Sequence, residues 1–202
     1  MPGVLLLLPL AYLLGSFPTA SLVARATGHD VLTEGSRNPG ASNVYRLAGW
    51  KAGLIVFVAD FAKGAIPSAV GLVLDGHRGA YLLGAAAVIG HVLPITNRFR
   101  GGRGVATAGG VLVVIFPWIA LGLALVWFVI ARGFGKASVA SIVITVAFPV
   151  LVAVTGNSWG DILITSGLAL VILARHVPNL RRLVRGEEHG LGREPPGGSV
   201  SE

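Results

Sequence analysis

Two short polar runs interrupt an otherwise apolar chain, and both are made of residue types that bind anions. The first, Glu34-Gly35-Ser36-Arg37-Asn38-Pro39-Gly40-Ala41-Ser42-Asn43, separates the first two long apolar stretches, and the second, Arg98-Phe99-Arg100-Gly101-Gly102-Arg103-Gly104, follows the third. In the first, Ser36, Asn38, Ser42 and Asn43 offer hydroxyl and amide donors, Gly40 lies among them, and Arg37 and nearby Arg46 add planar cationic forks. Such a density of donors suits a ligand rich in oxygen. The competing reading is a solvated loop whose Ser and Asn make turns, with Ser42 or Asn43 capping a helix that begins near Val44. In the second run, Gly101, Gly102 and Gly104 allow close backbone approach, Arg103 brings charge, and the run opens onto an apolar helix whose first amides favour negative charge. The spacing lacks the Gly-x-x-x-x-Gly-Lys-Ser/Thr pattern, so nucleotide binding is not supported. A tight turn with ordinary basic membrane anchors competes here. Together the two runs predict a phosphate-type site at one membrane surface.

The elements that position these runs must be membrane helices. Hydrophobic residues are 53% of 202 and charged residues only 12%, with a mean hydropathy of +0.76, more apolar surface than a soluble domain of this length can cover. With no cysteine, disulfides, thiolate zinc sites and a cysteine nucleophile are excluded. The net charge of +7 is read as topology, arginines held in cytoplasmic loops, and not as nucleic-acid binding. The first apolar run lacks a positive leader and is too long for a secretory signal; its first basic residue, Arg25, follows it, which predicts an outside N-terminus.

Apolar stretches of spanning length fall at about 3–24, 52–74, 79–97, 138–155 and 159–177. The piece Val105 to Ala131 contains Pro117 and reads as a hairpin of two short helices, because a single crossing would export Arg132 and Lys136. The expectation is an all-α polytopic protein with seven transmembrane helices, N-terminus outside and C-terminus cytoplasmic. Every Lys and Arg except Lys63 and Arg78 then lies on the cytoplasmic side. Residues 1–188 form one transmembrane domain, and the Gly-, Pro- and Ser-rich segment 189–202 is expected to be a flexible, dispensable cytoplasmic tail.

Ionisable and hydroxyl residues inside the spans carry two readings each. Asp60 and Lys63, three apart on one helical face, pair either as structure or as part of the site. His91 lies a couple of turns below the cytoplasmic surface, where a packed, hydrogen-bonded ring is favoured over a ligand contact. Ser138 and Ser141 open the sixth span and serve either substrate or helix packing. Arg181 and Arg182 read as headgroup-facing residues of a surface helix. Ser36 has no nucleophile elbow around it and reads as a hydrogen-bond donor, not a covalent nucleophile.

The ordered set Gly-Ser-x-Asn-x-Gly-Ala-Ser-Asn (35–43), Asp60-Phe61-Ala62-Lys63-Gly64, Gly90-His91-Val92-Leu93-Pro94, Gly-Gly-Arg-Gly-Val-Ala-Thr (101–107), and His176-Val177-Pro178-Asn179 with Arg181-Arg182-Leu183-Val184-Arg185-Gly186-Glu187 resembles the bacterial acyl-phosphate:glycerol-3-phosphate acyltransferase family, PlsY. The likeness runs from about residue 14 to 188. It implies a seven-helix enzyme, without metal or other cofactor, that moves a fatty acyl group from acyl phosphate, not from coenzyme A, to the sn-1 hydroxyl of glycerol 3-phosphate at the cytoplasmic face of the bacterial inner membrane. The family's roles fall on Ser36, Arg46, Arg103 with its flanking glycines, His176 and Asn179, and Glu187 matches a glutamate tied to structural integrity. Arg103 stands where the family usually has lysine, and Arg37 and Pro39 stand for Gly and Ile.

The candidate substrate contacts are therefore Asn38, Gly40, Ser42, Asn43, Lys63, His91, Gly101, Gly102, Gly104, Ser138 and Ser141, beside the catalytic set Ser36, Arg46, Arg103, His176 and Asn179. The expected partners are glycerol 3-phosphate, acyl phosphate and membrane lipids, and a monomer is expected. The base that takes the hydroxyl proton is His176, His91 or a substrate phosphate oxygen. The alternative reading is a membrane transporter of phosphate or an organophosphate, although no internal repeat is visible.

Overall fold

A computed structural model describes residues 2–192, and among these it is all-helical: α1 Pro2–Gly15, α2 Thr19–Ala26, α3 Ala41–Ala48, α4 Trp50–Val92, α5 Val105–Ile115, α6 Pro117–Phe134, α7 Ala137–Val154 and α8 Trp159–Val184. Five stretches, Gly3–Ala26, Trp50–Asn97, Pro117–Phe134, Ala137–Val154 and Trp159–Val184, are long and apolar enough to cross a membrane, while Val105–Ile115 is apolar but shorter. Large apolar side chains such as Leu6, Val73 and Leu125 stand exposed on the outside of the bundle, as lipid contact requires.

The long α4 is two antiparallel limbs. Asp75 and Gly76 leave helical geometry, Gly76 with φ +60°, and the Ser68 hydroxyl donates to the Ala80 carbonyl at 3.1 Å. In one continuous helix those residues would lie about 18 Å apart. Gly71 and Gly79 face each other so closely that a methyl on either would overlap the other's backbone, which lets the limbs touch. The second limb stops at Val92, two residues before Pro94, whose ring disfavours helix at the preceding residue.

α5 and α6 also run in opposite directions. Phe116, between them, packs edge-on to His77 and near Tyr81, beside the α4 reversal, whereas both far ends return to the opposite face. The Gly135 carbonyl after α6 accepts the Leu191 amide, next to Gly190, whose carbonyl accepts from Arg46. Pro117 at the first position of α6 costs no helical hydrogen bond there. The main core joins the second limb of α4, α5, α7 and α8 through Tyr81, Val88, Val111, Ile115, Phe148, Val152 and Ile172.

Three sequence expectations are corrected. The helix after the first polar run begins at Ala41, and its N-cap is Gly40 with no side-chain cap bond, so neither Ser42 nor Asn43 caps it. The α8 helix continues to Val184, past the expected end at 177, because its polar final turns are held by contacts at the bundle end and not by lipid. The start of the expected tail is tied down: Gly190 and Leu191 make the two hydrogen bonds given above. Residues 193–202 lie outside the described residues.

Candidate active site at one end of the bundle

Asn43 builds the first loop from inside. It is 1% exposed; its Oδ1 accepts the Ser36 amide at 3.0 Å, and its Nδ2 donates to the Val31 and Glu34 carbonyls at 3.3 and 3.2 Å. Its amide is therefore spent on folding the loop and not on a ligand. Glu34 closes the same turn, accepting from the Asp30 amide at 2.7 Å and pairing with His29 Nδ1 at 2.8 Å; these two bonds hold its carboxyl below the ordinary value. Arg37 takes φ +55°, in the left-handed region that costs a side chain roughly 1 kcal/mol. Asn43→Ala should lower unfolding free energy by about 2–3 kcal/mol, since it orphans buried loop groups, and thermal unfolding in detergent reads the loss.

The loop folded in this way shares an open cleft of about 290 Å³ with the glycine turn and α8. Ser36, Asn38, Gly101, Arg103 and Asn179 line it, so residues of both polar runs and of the third motif share this cleft. Five arginines also line it: Arg37, Arg100, Arg103, Arg175 and Arg182. The Ser36 hydroxyl accepts from Arg46 Nη2 at 3.0 Å, which leaves its own hydrogen to donate into the cleft. Arg46 is 5% exposed and stands behind Ser36, its Nη1 on the Gly190 carbonyl at 3.2 Å.

Arg103 differs from Arg175 and Arg182, whose guanidinium groups are held by hydrogen bonds. No hydrogen bond or ion pair ties its guanidinium to any of the described residues. Burial is the main cause that lowers it to about 10, and Arg182, Arg46 and Arg175 push the same way against the attraction of Glu188. A partly desolvated cation facing a cleft without a partner is a vacancy for an anion.

The glycine turn does not present its amides as expected. Gly102 donates its N–H to the His91 carbonyl at 3.1 Å, away from the cleft, and the carbonyls of Gly101 and Gly102 receive Arg175 Nη2 at 2.7 Å and Nε at 3.3 Å. The amides of Gly101 and Gly104 make no hydrogen bond among the described residues. Glycine is required twice, since a methyl on Gly102 would overlap the His91 ring and one on Gly101 the carbonyls of His91 and Val92. Pro39 and Gly102 approach each other here, joining the two loops.

Other candidates lie outside the cleft lining. Lys63 and His91 face a smaller cavity behind the glycine turn, together with Asp60 and Ser16. Lys63 Nζ is spent on Asp60 Oδ1 at 2.6 Å and the Phe17 carbonyl at 2.7 Å, and His91 Nδ1 lies 3.8 Å from the same carboxylate. Ser141 accepts the Trp127 indole at 3.0 Å and so links α7 to α6. Ser138, in the first turn of α7, lies beside Glu188. His176 is 1% exposed and donates Nδ1–H to the Ile172 carbonyl at 2.8 Å, which leaves Nε2 as an acceptor.

Glu188, not Glu187, is the glutamate of this site. Glu187 is exposed, whereas Glu188 is buried and accepts from Asn179 Nδ2 at 2.6 Å and Arg182 Nε at 2.9 Å. Arg182 accordingly faces the cleft and not lipid headgroups. The residues missed in the sequence, Arg175, Arg182 and Glu188, had one available signal: 175, 179 and 182 follow i, i+4, i+7 spacing on one face once α8 is continued beyond 177. Pro178 lies on that stripe and removes the helical donor from the Ala174 carbonyl at the cleft.

A helical membrane bundle with an arginine-lined cleft at one end defines an integral membrane protein suited to anionic ligands. A family model described as glycerol-3-phosphate acyltransferase matches residues 5–186. Relatives called glycerol-3-phosphate acyltransferase include one from Rubrobacter xylanophilus, 39% identical over 96% of this chain and 98% of its own, and one from Aquifex aeolicus, 38% identical over 92% and 97%. Crystal structures of PlsY (YgiH), an integral membrane glycerol 3-phosphate acyltransferase, are similar throughout. The glycerol 3-phosphate form gives a TM-score of 0.90 at 37% identity, covering 94% of this chain and 96% of that one. The lysophosphatidic acid form gives 0.86 at 36%, covering 93% and 95%. The chain belongs to the glycerol-3-phosphate acyltransferase family.

Proposed function

We propose that this protein transfers a fatty acyl group from acyl phosphate to the sn-1 hydroxyl of glycerol 3-phosphate, releasing lysophosphatidic acid and inorganic phosphate. The observation that carries the reading is Arg103, which makes no hydrogen bond or ion pair to the described residues, in a cleft formed by both polar loops. Five cleft arginines against one buried glutamate match two phosphorylated substrates, each bearing close to two negative charges at neutral pH. Seven membrane crossings, with the N-terminus outside and the cleft on the cytoplasmic side of a bacterial inner membrane, are supported by the α4 reversal, the antiparallel α5 and α6, and the arginines gathered at the cleft end. The protein is proposed to act as a monomer among membrane lipids.

The hydroxyl oxygen attacks the acyl carbonyl carbon, the bond to the phosphate oxygen breaks, and inorganic phosphate leaves with the electron pair. Arg103 neutralises charge building on the leaving phosphate, and Ser36, oriented by Arg46, donates to a substrate oxygen. Asn38 is a further ligand contact. His91 stands behind the glycine turn, and His176 is outside the cleft lining, which favours a phosphate oxygen of a substrate as the proton acceptor.

Purified protein in detergent, given acyl phosphate and labelled glycerol 3-phosphate, should form labelled lysophosphatidic acid without coenzyme A. Product only with acyl-coenzyme A would overturn the donor assignment. Phosphate uptake into liposomes with no acyl product would replace the enzyme with the transporter.

A further inference from the structure

The glycine turn has no side chain at 101 or 102 with which to fix its own conformation, and glycine gives up more backbone freedom on ordering than any other residue. Something outside must hold it. On one side, the His91 carbonyl at the end of α4 takes the Gly102 amide at 3.1 Å. On the other, a single side chain from α8 spans two successive carbonyls, Arg175 Nη2 on Gly101 at 2.7 Å and Nε on Gly102 at 3.3 Å. We propose that Arg175 is a positioning residue for acyl transfer: it clamps the glycine turn so that Arg103, the next residue, is held toward the cleft. The proposal rests on the acyl-transfer reading given above.

The geometry asks for arginine in particular. A guanidinium is a rigid planar fork whose Nε–H and Nη–H can reach two neighbouring oxygens at once, while an ammonium is a point charge on a flexible stem. The clamp also links two parts of the site that are distant in sequence. Arg175 precedes His176 and lies one turn before Asn179, so α8 sets the glycine turn and presents Asn179 from the same stripe. Since Arg175 itself lines the cleft, its charge alone would aid anion binding, and the two roles have to be separated by experiment.

Three variants separate them: Arg175→Lys, Arg175→Ala, and Arg175→Ala combined with Arg103→Ala. Positioning predicts that both single variants lose kcat by about tenfold with KM for glycerol 3-phosphate changed less than about threefold, because charge without the fork does not hold the turn. The double variant should be no slower than Arg103→Ala alone, since a residue that acts through another adds nothing once that other is gone. Losses that simply multiply, or full rescue by lysine, would overturn the clamp and leave only an electrostatic contribution. Hydrogen exchange at residues 98–104 supplies a readout free of turnover: it should quicken in both single variants, and exchange equal to wild type would refute the clamp. Wild-type protein that makes no lysophosphatidic acid would refute the acyl-transfer reading separately, while the exchange result would still decide whether Arg175 holds the turn.

Discussion

Arg103→Ala is expected to lower kcat/KM for acyl transfer by about 10- to 100-fold, the range for losing a charge-assisted contact of roughly 1.5–3 kcal/mol. The folded protein gains nothing from this cation, which makes the prediction clean. Burial disfavours its charged form and lowers it to about 10, so ionisation is easier in the unfolded chain than in the native one. Removing it should leave thermal stability unchanged or slightly raised in the absence of ligand, while the protection that glycerol 3-phosphate gives against unfolding should shrink. Arg103→Lys keeps the positive charge and is expected to stay within severalfold of wild type. Full activity in the alanine variant would remove Arg103 from the site and with it the main support for two phosphorylated ligands.

The parts of this molecule that could be read in the sequence are those where composition or local chemistry leaves little choice. A chain this apolar has to form membrane helices, and donor-rich runs cannot lie in hydrocarbon, so their meeting at one end of the bundle follows from where the spans stop. The Asp60–Lys63 pair was legible for the same reason, since the spacing puts both on one face and lipid penalises either alone. Three-dimensional economy was not legible. Nothing in the sequence tells that Asn43 spends its amide on Val31 and Glu34, or that the His91 carbonyl takes the Gly102 amide, because those partners are separated by up to twelve residues of loop or by a chain reversal. The carbonyl-facing side of the glycine turn was hidden too: a glycine run signals close approach but not which peptide edge is approached. Glu187 and Glu188 differ by one position, and helix ends fray by that much in any sequence reading, yet one residue decides between solvent and the site.

Glu188→Gln is expected to cost about 2 kcal/mol of stability and most of the activity. Burial tends to raise the Glu188 carboxyl, but the amide of Asn179, the hydroxyl of Ser138 and the guanidinium of Arg182 outweigh it and hold the group below its ordinary value. A carboxyl depressed in the folded state stabilises the protein above its unfolded value, near 4.5, and that contribution drains away as pH falls through and below it. Wild-type unfolding temperature should therefore decline on acidification below about pH 5, and the glutamine variant should start lower and decline less. Glutamine can still accept from one partner, but it leaves Arg182 without a counter-charge beside Arg103 and loosens Asn179, which faces the cleft. Glu187→Gln is the control, because that side chain is exposed and the change should stay within about 0.5 kcal/mol. Equal effects from the two substitutions would show that the buried carboxylate is not what ties α8 to the site.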